Sequence, residues 1–304
     1  MRRFFTETLP DARLDMIDPA VLRAEGFPAE VLIPAMTRID AALMDRIGGL
    51  RLIHQWGAGL EGVDIAAATA RGIAVANVPS ADGGNAESVA EWCVMAAIAA
   101  GRRLPAAIEG IRRGDTWGGP MGRALLGCTA GIVGLGGIGH ALALRLRPFG
   151  MRMIGIRRAA DAELAERLGM EWVGGPDRLT ELLRQSDYLL LCVPLNDSTR
   201  AMIGERAFGM LPDGACVINA GRGGLLDHDA LLKALAQGRL LGAGLDVFER
   251  EPLEPESPLL GRADVLATPH IAGVTTVSYR GIARRLADNV MRLHEGRPLL
   301  NRVN

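Results

Sequence analysis

Apolar residues in this chain fall into short runs that alternate with stretches of helical spacing. Val31-Leu32-Ile33, Leu50 to Trp56 and Gly72 to Val78 predict strands, and Ile39, Leu43 and Ile47, four apart, predict a helix among them. Glu87 to Arg103 carries Val89, Trp92, Cys93, Met95, Ala96 and Ala99 and is apolar nearly all round, so it predicts a helix buried between domains or subunits. Pro105 and the glycine-rich stretch Gly114 to Gly122 then read as a crossing into a second unit. There, runs at Thr129 to Val133, Met151 to Ile156, Glu171 to Val173, Tyr188 to Val193, Ala215 to Asn219, Leu241 to Val247 and Asp264 to Ala267 predict strands. Helices are expected over Asp161 to Leu168, Asp177 to Arg184 and Asp227 to Gln237, the last capped by Asp227 and stopped by Gly238. This alternation predicts an α/β fold with a doubly wound parallel sheet. Thr275 to Glu295 reads as one helix with Ile282, Leu286, Val290 and Leu293 on its apolar face. No strand is left for it to cover in its own unit, so it is expected to return to the N-terminal one.

The first strand of the second unit leads into Gly134-Leu135-Gly136-Gly137-Ile138-Gly139. A strand, a G-x-G-x-x-G turn and a helix in that order make the first unit of a dinucleotide-binding fold. Gly134 permits the sharp turn, Gly136 lets backbone approach a pyrophosphate, and Gly139 lets the helix pack on the sheet. At the end of the next strand, an NAD site places Asp or Glu about 20 residues past the glycines, whereas an NADP site places Arg nearby. The residues here are Ile156-Arg157-Arg158, with no carboxylate before Asp161. Two guanidiniums suit a 2′-phosphate, so NADP(H) is the expected cofactor, with NAD(H) as the second.

Composition narrows the partners. Lys plus Arg (34) and Asp plus Glu (35) nearly cancel, and aromatics are only 4%, which argues against nucleic acid or an anionic membrane surface. Cys93, Cys128, Cys192 and Cys216 have no C-x-x-C spacing and sit mostly in apolar runs, as small core residues of a reducing compartment do. The N-terminal residues lack the apolar core of a signal peptide, and the longest apolar run, Trp92 to Ala100, is too short to span a bilayer. A cytoplasmic protein is expected, with no metal site.

Three polar residues follow consecutive strands: Arg222, Glu251 and His270. Taken singly, each has an ordinary reading: an exposed loop arginine, one member of a solvated acidic loop, and a hydrogen-bonded loop histidine. Together, at strand ends beside a cofactor turn, they are what carbonyl reduction of an acid requires. Arg pairs the carboxylate, His donates the proton, and Glu orients the imidazole and favours its charged form. The loop Gly57 to Gly62 is a further glycine-rich turn after a strand; by itself it reads equally as turn chemistry or as an anion nest.

The chain resembles the D-isomer-specific 2-hydroxyacid dehydrogenase family from about Leu50 to Gly273. The resemblance rests on the glycine turn, on Asn219-Ala220-Gly221-Arg222-Gly223-Gly224-Leu225-Leu226-Asp227, on Gly242 to Pro252, and on Thr268-Pro269-His270-Ile271-Ala272-Gly273. It implies that Arg222 and His270 bind substrate, that His270 is the acid/base, and that Glu251 is its partner. It places Ala58 and Gly59 at the substrate carboxylate and Asp246 near the nicotinamide amide. It extends the cofactor set to Gly137, Ile138, Val193, Pro194, Thr199, Ala220 and Gly273. It also implies a Rossmann-type domain over 101–273, a smaller flavodoxin-like substrate domain from 1–100 and 274–304, and a homodimer using the helix after Asn85. Arg157 replaces the family's common acid, as in members resembling glyoxylate and hydroxypyruvate reductases. Cys128 replaces its common Lys. The expected function is NADPH-linked reduction of a small 2-keto acid to a D-2-hydroxy acid. NAD-linked phosphoglycerate dehydrogenation and a non-catalytic nucleotide-sensing scaffold are the rivals.

Overall fold

The computed structural model describes residues 2–115 and 117–304. Thr116, inside the expected Gly114 to Gly122 crossing, lies outside the described residues. The chain divides into two compact units, one formed by the segment up to Asn85 with Val274–Asn304, the other by Ala86–Gly273.

The first unit contains short strands β1 (Phe27–Pro28), β2 (Val31–Leu32), β3 (Ile47–Gly48), β4 (Leu52–His54) and β5 (Ala74–Ala76). They form a three-stranded parallel sheet, β2-β4-β5, and a separate parallel pair, β1-β3. The helix expected over Ile39 to Ile47 is only Ala41–Met44, because Ile47 joins β3 beside Phe27. Apolar residues spaced by four satisfy a helix, but this one closes at its C-cap Asp45, and Ile47 and Gly48 run on as extended chain paired with Phe27 and Pro28.

The second unit holds β6 (Thr129–Val133), β7 (Arg152–Ile156), β8 (Trp172–Gly174), β9 (Tyr188–Leu191), β10 (Ala215–Asn219), β11 (Leu240–Leu245) and β12 (Val265–Ala267). They make one parallel sheet in the order β12-β11-β10-β9-β6-β7-β8. The chain moves outward from β6 to β8, returns to lay β9 beside β6, and moves outward again. The strand order therefore reverses between β6 and β9, where doubly wound sheets leave a crevice at their C-terminal ends. β6, β9 and β10 are buried at every residue, as parallel strands covered on both faces are. Ile132, Met153 and Leu190 face one core, and Val133, Ile154 and Leu191 face the other.

The expected domain boundary at residue 100 falls instead after Asn85. Helix Asn85–Gly101 covers this sheet with one face, placing Ala90, Cys93 and Ala96 in the first of those cores, while Met95 and Ile98 stay exposed. Gly244 lets it approach: a Cβ there would stand 2.8 Å from the Ala96 methyl. Pro105 marks no linker either. It occupies the first turn of helix Leu104–Arg112, where a missing N–H costs nothing. Cys93 and Cys216 are buried and Cys128 and Cys192 partly so, all four as free thiols. No described helix is long and apolar enough to cross a membrane.

The C-terminal helix Thr276–His294, capped by Thr275, does return to the first unit. Tyr279 packs edge-on against Phe4 and Trp56, with centroids 6.0 and 5.5 Å away. Deeper in, fully buried His54 lies between Gln55 O, 3.1 Å from its Nδ1, and Asn289 Nδ2, 2.9 Å from its Nε2. Asn289 also donates to Leu300 O and accepts from Leu300 N. Only a neutral imidazole with its proton on Nδ1 satisfies both neighbours. Burial pushes the His54 pKa down to about 4. The unfolded chain thus binds a proton near 6.5 and the folded one only near 4, so stability falls as pH drops through that window, by about 3 kcal/mol. His54→Gln should flatten this part of the profile. Urea midpoints at about pH 7 and about pH 5 check it; an equal decline in variant and wild type would refute the assignment.

Candidate active site

The glycine turn follows β6 directly. Gly134 has φ +99°, and a Cβ on it would stand 2.6 Å from Val193 Cγ1 and 2.8 Å from the Cys192 carbonyl. A Cβ on Gly139 would stand 1.9 Å from Gly134 O, so helix Gly137–Leu146 rests against the strand that feeds it. Gly136 differs. It caps the helix without a side chain, and a Cβ built there meets nothing within 4 Å. First-turn amides, including those of Gly137 and Ile138, have no acceptor inside a helix. Bare amides at the end of a ten-residue helix, opening on clear space, fit an anionic pyrophosphate.

Arg157 and Arg158 follow β7 and are exposed. Arg157 Nη1 lies 2.5 Å from Asp161 Oδ2, while Asp161 Oδ1 accepts from Leu164 N at 2.8 Å and caps the next helix. On the other side of the turn, Thr199 Oγ1 donates to Pro194 O and accepts from Asn196 N, both at 2.9 Å, which folds the loop after Val193. Ala220 is buried just past β10, and Gly273 is the last residue of this unit.

Arg222, Glu251 and His270 all belong to this unit and follow β10, β11 and β12 in turn. Glu251 Oε2 meets His270 Nδ1 at 2.7 Å, and its Oε1 accepts from Phe248 N at 2.9 Å. Burial pushes the Glu251 carboxyl up, but the His270 hydrogen bond, the Phe248 amide and the charges of His270 and Arg222 outweigh it and hold it below the usual range. An ionised carboxylate only accepts, so the His270 proton sits on Nδ1 and Nε2 is the nitrogen turned to other partners. Arg222 is near enough for its charge to act on Glu251; its Nη1 donates to Gly221 O at 2.7 Å. Asn219, fully buried, ties this loop by accepting from Gly221 N and donating to Arg222 O. Gly223 allows the loop to lie on the strand end bearing Glu251, since a Cβ there would be 1.9 Å from the Phe248 carbonyl carbon.

His270 has φ +55°, a conformation costly for a residue with a Cβ. Asp246 holds it there. Its buried carboxylate accepts from Thr268 Oγ1 at 2.6 Å, Ile271 N at 2.8 Å and Ala272 N at 2.7 Å, and its carbonyl accepts from His270 N at 2.8 Å. Burial raises the Asp246 pKa despite these donors. The supporting roles of Asn219, Asp246 and Asp161 were not read from the sequence. Asp161 at a helix start was the one cue available. Ala58 and Gly59 lie in the first unit, in the loop after β4, where Asn77 Nδ2 donates to Ala58 O at 2.7 Å. No group of three metal-ligating side chains occurs among the described residues.

Residues 94–272 match the family described as D-isomer specific 2-hydroxyacid dehydrogenase, NAD binding domain, over more than half of the chain. The chain belongs to that family. A D-3-phosphoglycerate dehydrogenase of Archaeoglobus fulgidus is 35% identical over 90% of this chain and 51% of its own length. A glyoxylate reductase of Aeropyrum pernix is 37% identical over 93% of the chain and 85% of its own length. The structure of D-lactate dehydrogenase from Aquifex aeolicus, complexed with NAD and lactic acid, superposes with TM-score 0.80 at 27% identity, covering 97% of this chain and 92% of that one. The chain thus spans about half the length of the phosphoglycerate dehydrogenases it matches.

The turn geometry separates two alanine substitutions. Gly136→Ala should leave the denaturation midpoint almost unmoved yet weaken dinucleotide binding, because its methyl enters the open cradle. Gly139→Ala should cost about 1–3 kcal/mol by levering helix from strand. Urea denaturation with a fluorescence titration of cofactor reads both, and equal destabilisation by the two would contradict this account.

Proposed function

We propose that the protein reduces a small 2-keto acid, of glyoxylate or hydroxypyruvate type, to the D-2-hydroxy acid with NADPH as the preferred cofactor. The observation that carries this reading is the 2.7 Å pair between Glu251 and His270 beside Arg222, at three successive strand ends. A bound nicotinamide supplies the hydride. The residues do the rest: His270, protonated on both ring nitrogens, delivers its Nε2 proton to the keto oxygen, while Glu251, kept ionised, stabilises the imidazolium before the transfer and holds the Nδ1–H tautomer left after it. Arg222 pairs the substrate carboxylate and favours the negative charge that grows on the carbonyl oxygen. In this reading the amides of Ala58 and Gly59 are further ligands of the substrate carboxylate. Val193, Pro194, Thr199, Ala220, Asp246 and Gly273 line the cofactor.

Arg157 and Arg158, in place of an acid after β7, support NADPH. Exposed Met95 and Ile98 on helix Asn85–Gly101 support a homodimer that uses this helix. Four free thiols suit the cytoplasm. NAD-linked phosphoglycerate oxidation is the second reading, favoured by the 35% identity to enzymes of that name and opposed by Arg157.

His270→Ala should lower turnover about a hundred- to ten-thousandfold while cofactor still binds. Near-normal turnover would remove His270 from the chemistry. Arg157→Asp should move preference toward NADH. A steady-state panel of glyoxylate, hydroxypyruvate, pyruvate and phenylpyruvate against both reduced cofactors tests substrate and cofactor together, and an unmoved NADPH-to-NADH ratio in the variant would sink the cofactor argument.

A further inference from the structure

The pair formed by Arg157 and Asp161 bears on how sharply the protein tells its two cofactors apart. We propose that Asp161 is a specificity-setting residue, an internal counter-ion that competes with the cofactor's 2′-phosphate for Arg157; this rests on the reading of Arg157 as the phosphate ligand.

Three observations lead there. The contact is a single one, Nη1 to Oδ2 at 2.5 Å, and not the two-pronged arrangement that orients a guanidinium. Its side chains are 42% and 31% exposed, so the pair is wet and exchangeable. Asp161 is also fixed independently of Arg157: its Oδ1 caps helix Ala162–Leu168 through Leu164 N, and its own N–H donates to Val173 O at 3.0 Å. When Arg157 turns to a phosphate, Asp161 therefore stays, and its negative charge remains beside an incoming dianion. The same carboxylate neutralises Arg157 when the cofactor has no 2′-phosphate. Asp161 thus works against NADPH and leaves NADH nearly untouched, narrowing the preference that Arg157 creates.

Asp161→Asn keeps the cap, because asparagine also accepts from the third amide, and removes the charge. Asp161→Ser does the same with a shorter side chain. The measurement is calorimetric titration of the full chain with 2′,5′-ADP and with 5′-AMP, which reads binding without turnover. Both variants should bind 2′,5′-ADP about three- to tenfold more tightly than wild type at low ionic strength, with 5′-AMP changed by less than about twofold. The gain should shrink in about 0.5 M salt as the charges are screened. Unchanged or weaker 2′,5′-ADP binding in both variants would overturn the proposal. Arg157→Ala separates the two layers. If it weakens 2′,5′-ADP but the Asp161 variants bring no gain, only the role of Asp161 falls. If it leaves 2′,5′-ADP binding untouched, the phosphate reading of Arg157 fails, and the proposal with it.

Discussion

The buried carboxylate of Asp246 is the interaction on which the candidate site depends. Three donors from a single loop converge on it, and the loop they shape carries His270 in a left-handed conformation that a lone chain would avoid. The imidazole then falls within 2.7 Å of Glu251. Desolvation makes such a carboxylate expensive, and the hydrogen bonds it accepts are what make it tolerable. The cost is spent on rigidity in the loop that carries His270.

Close backbone approach supplies the rest of the geometry. Gly139 brings helix against strand, Gly134 admits Val193, and Gly223 seats the Arg222 loop on the strand end from which Glu251 departs. These are positions where a single methyl would push two loops apart. The charged groups are therefore placed by the absence of side chains next to them as much as by their own contacts.

What could be read from the chain follows from how local each cause is. Parallel strands buried on both faces appear as unbroken apolar runs, so β6, β9 and β10 were visible, as was the turn after β6. Arg222, Glu251 and His270 were visible as polar residues because each comes soon after an apolar run, β10, β11 and β12 in turn. The boundary at Asn85 was not, since an all-round apolar helix says that it is covered and not by what. Short helices Pro19–Glu25 and Ile65–Ala70 carry Asp18 and Asp64 as caps, yet their few turns show little periodicity. Helix Leu104–Arg112 was hidden by a proline that starts helices as readily as it ends them. The bond between His54 and Asn289 joins residues 235 positions apart, and nothing nearby in the chain announces it.

That last separation also orders events during synthesis. Ala86–Gly273 is one continuous stretch and can close its sheet as soon as it has emerged. The unit begun first is finished last. Its strands leave the ribosome early, but the long helix that buries His54 is made only after the whole dinucleotide-binding body. Until then the N-terminal strands wait with an open apolar face, so the nascent chain is most exposed to aggregation in the interval between Asn85 and Val274.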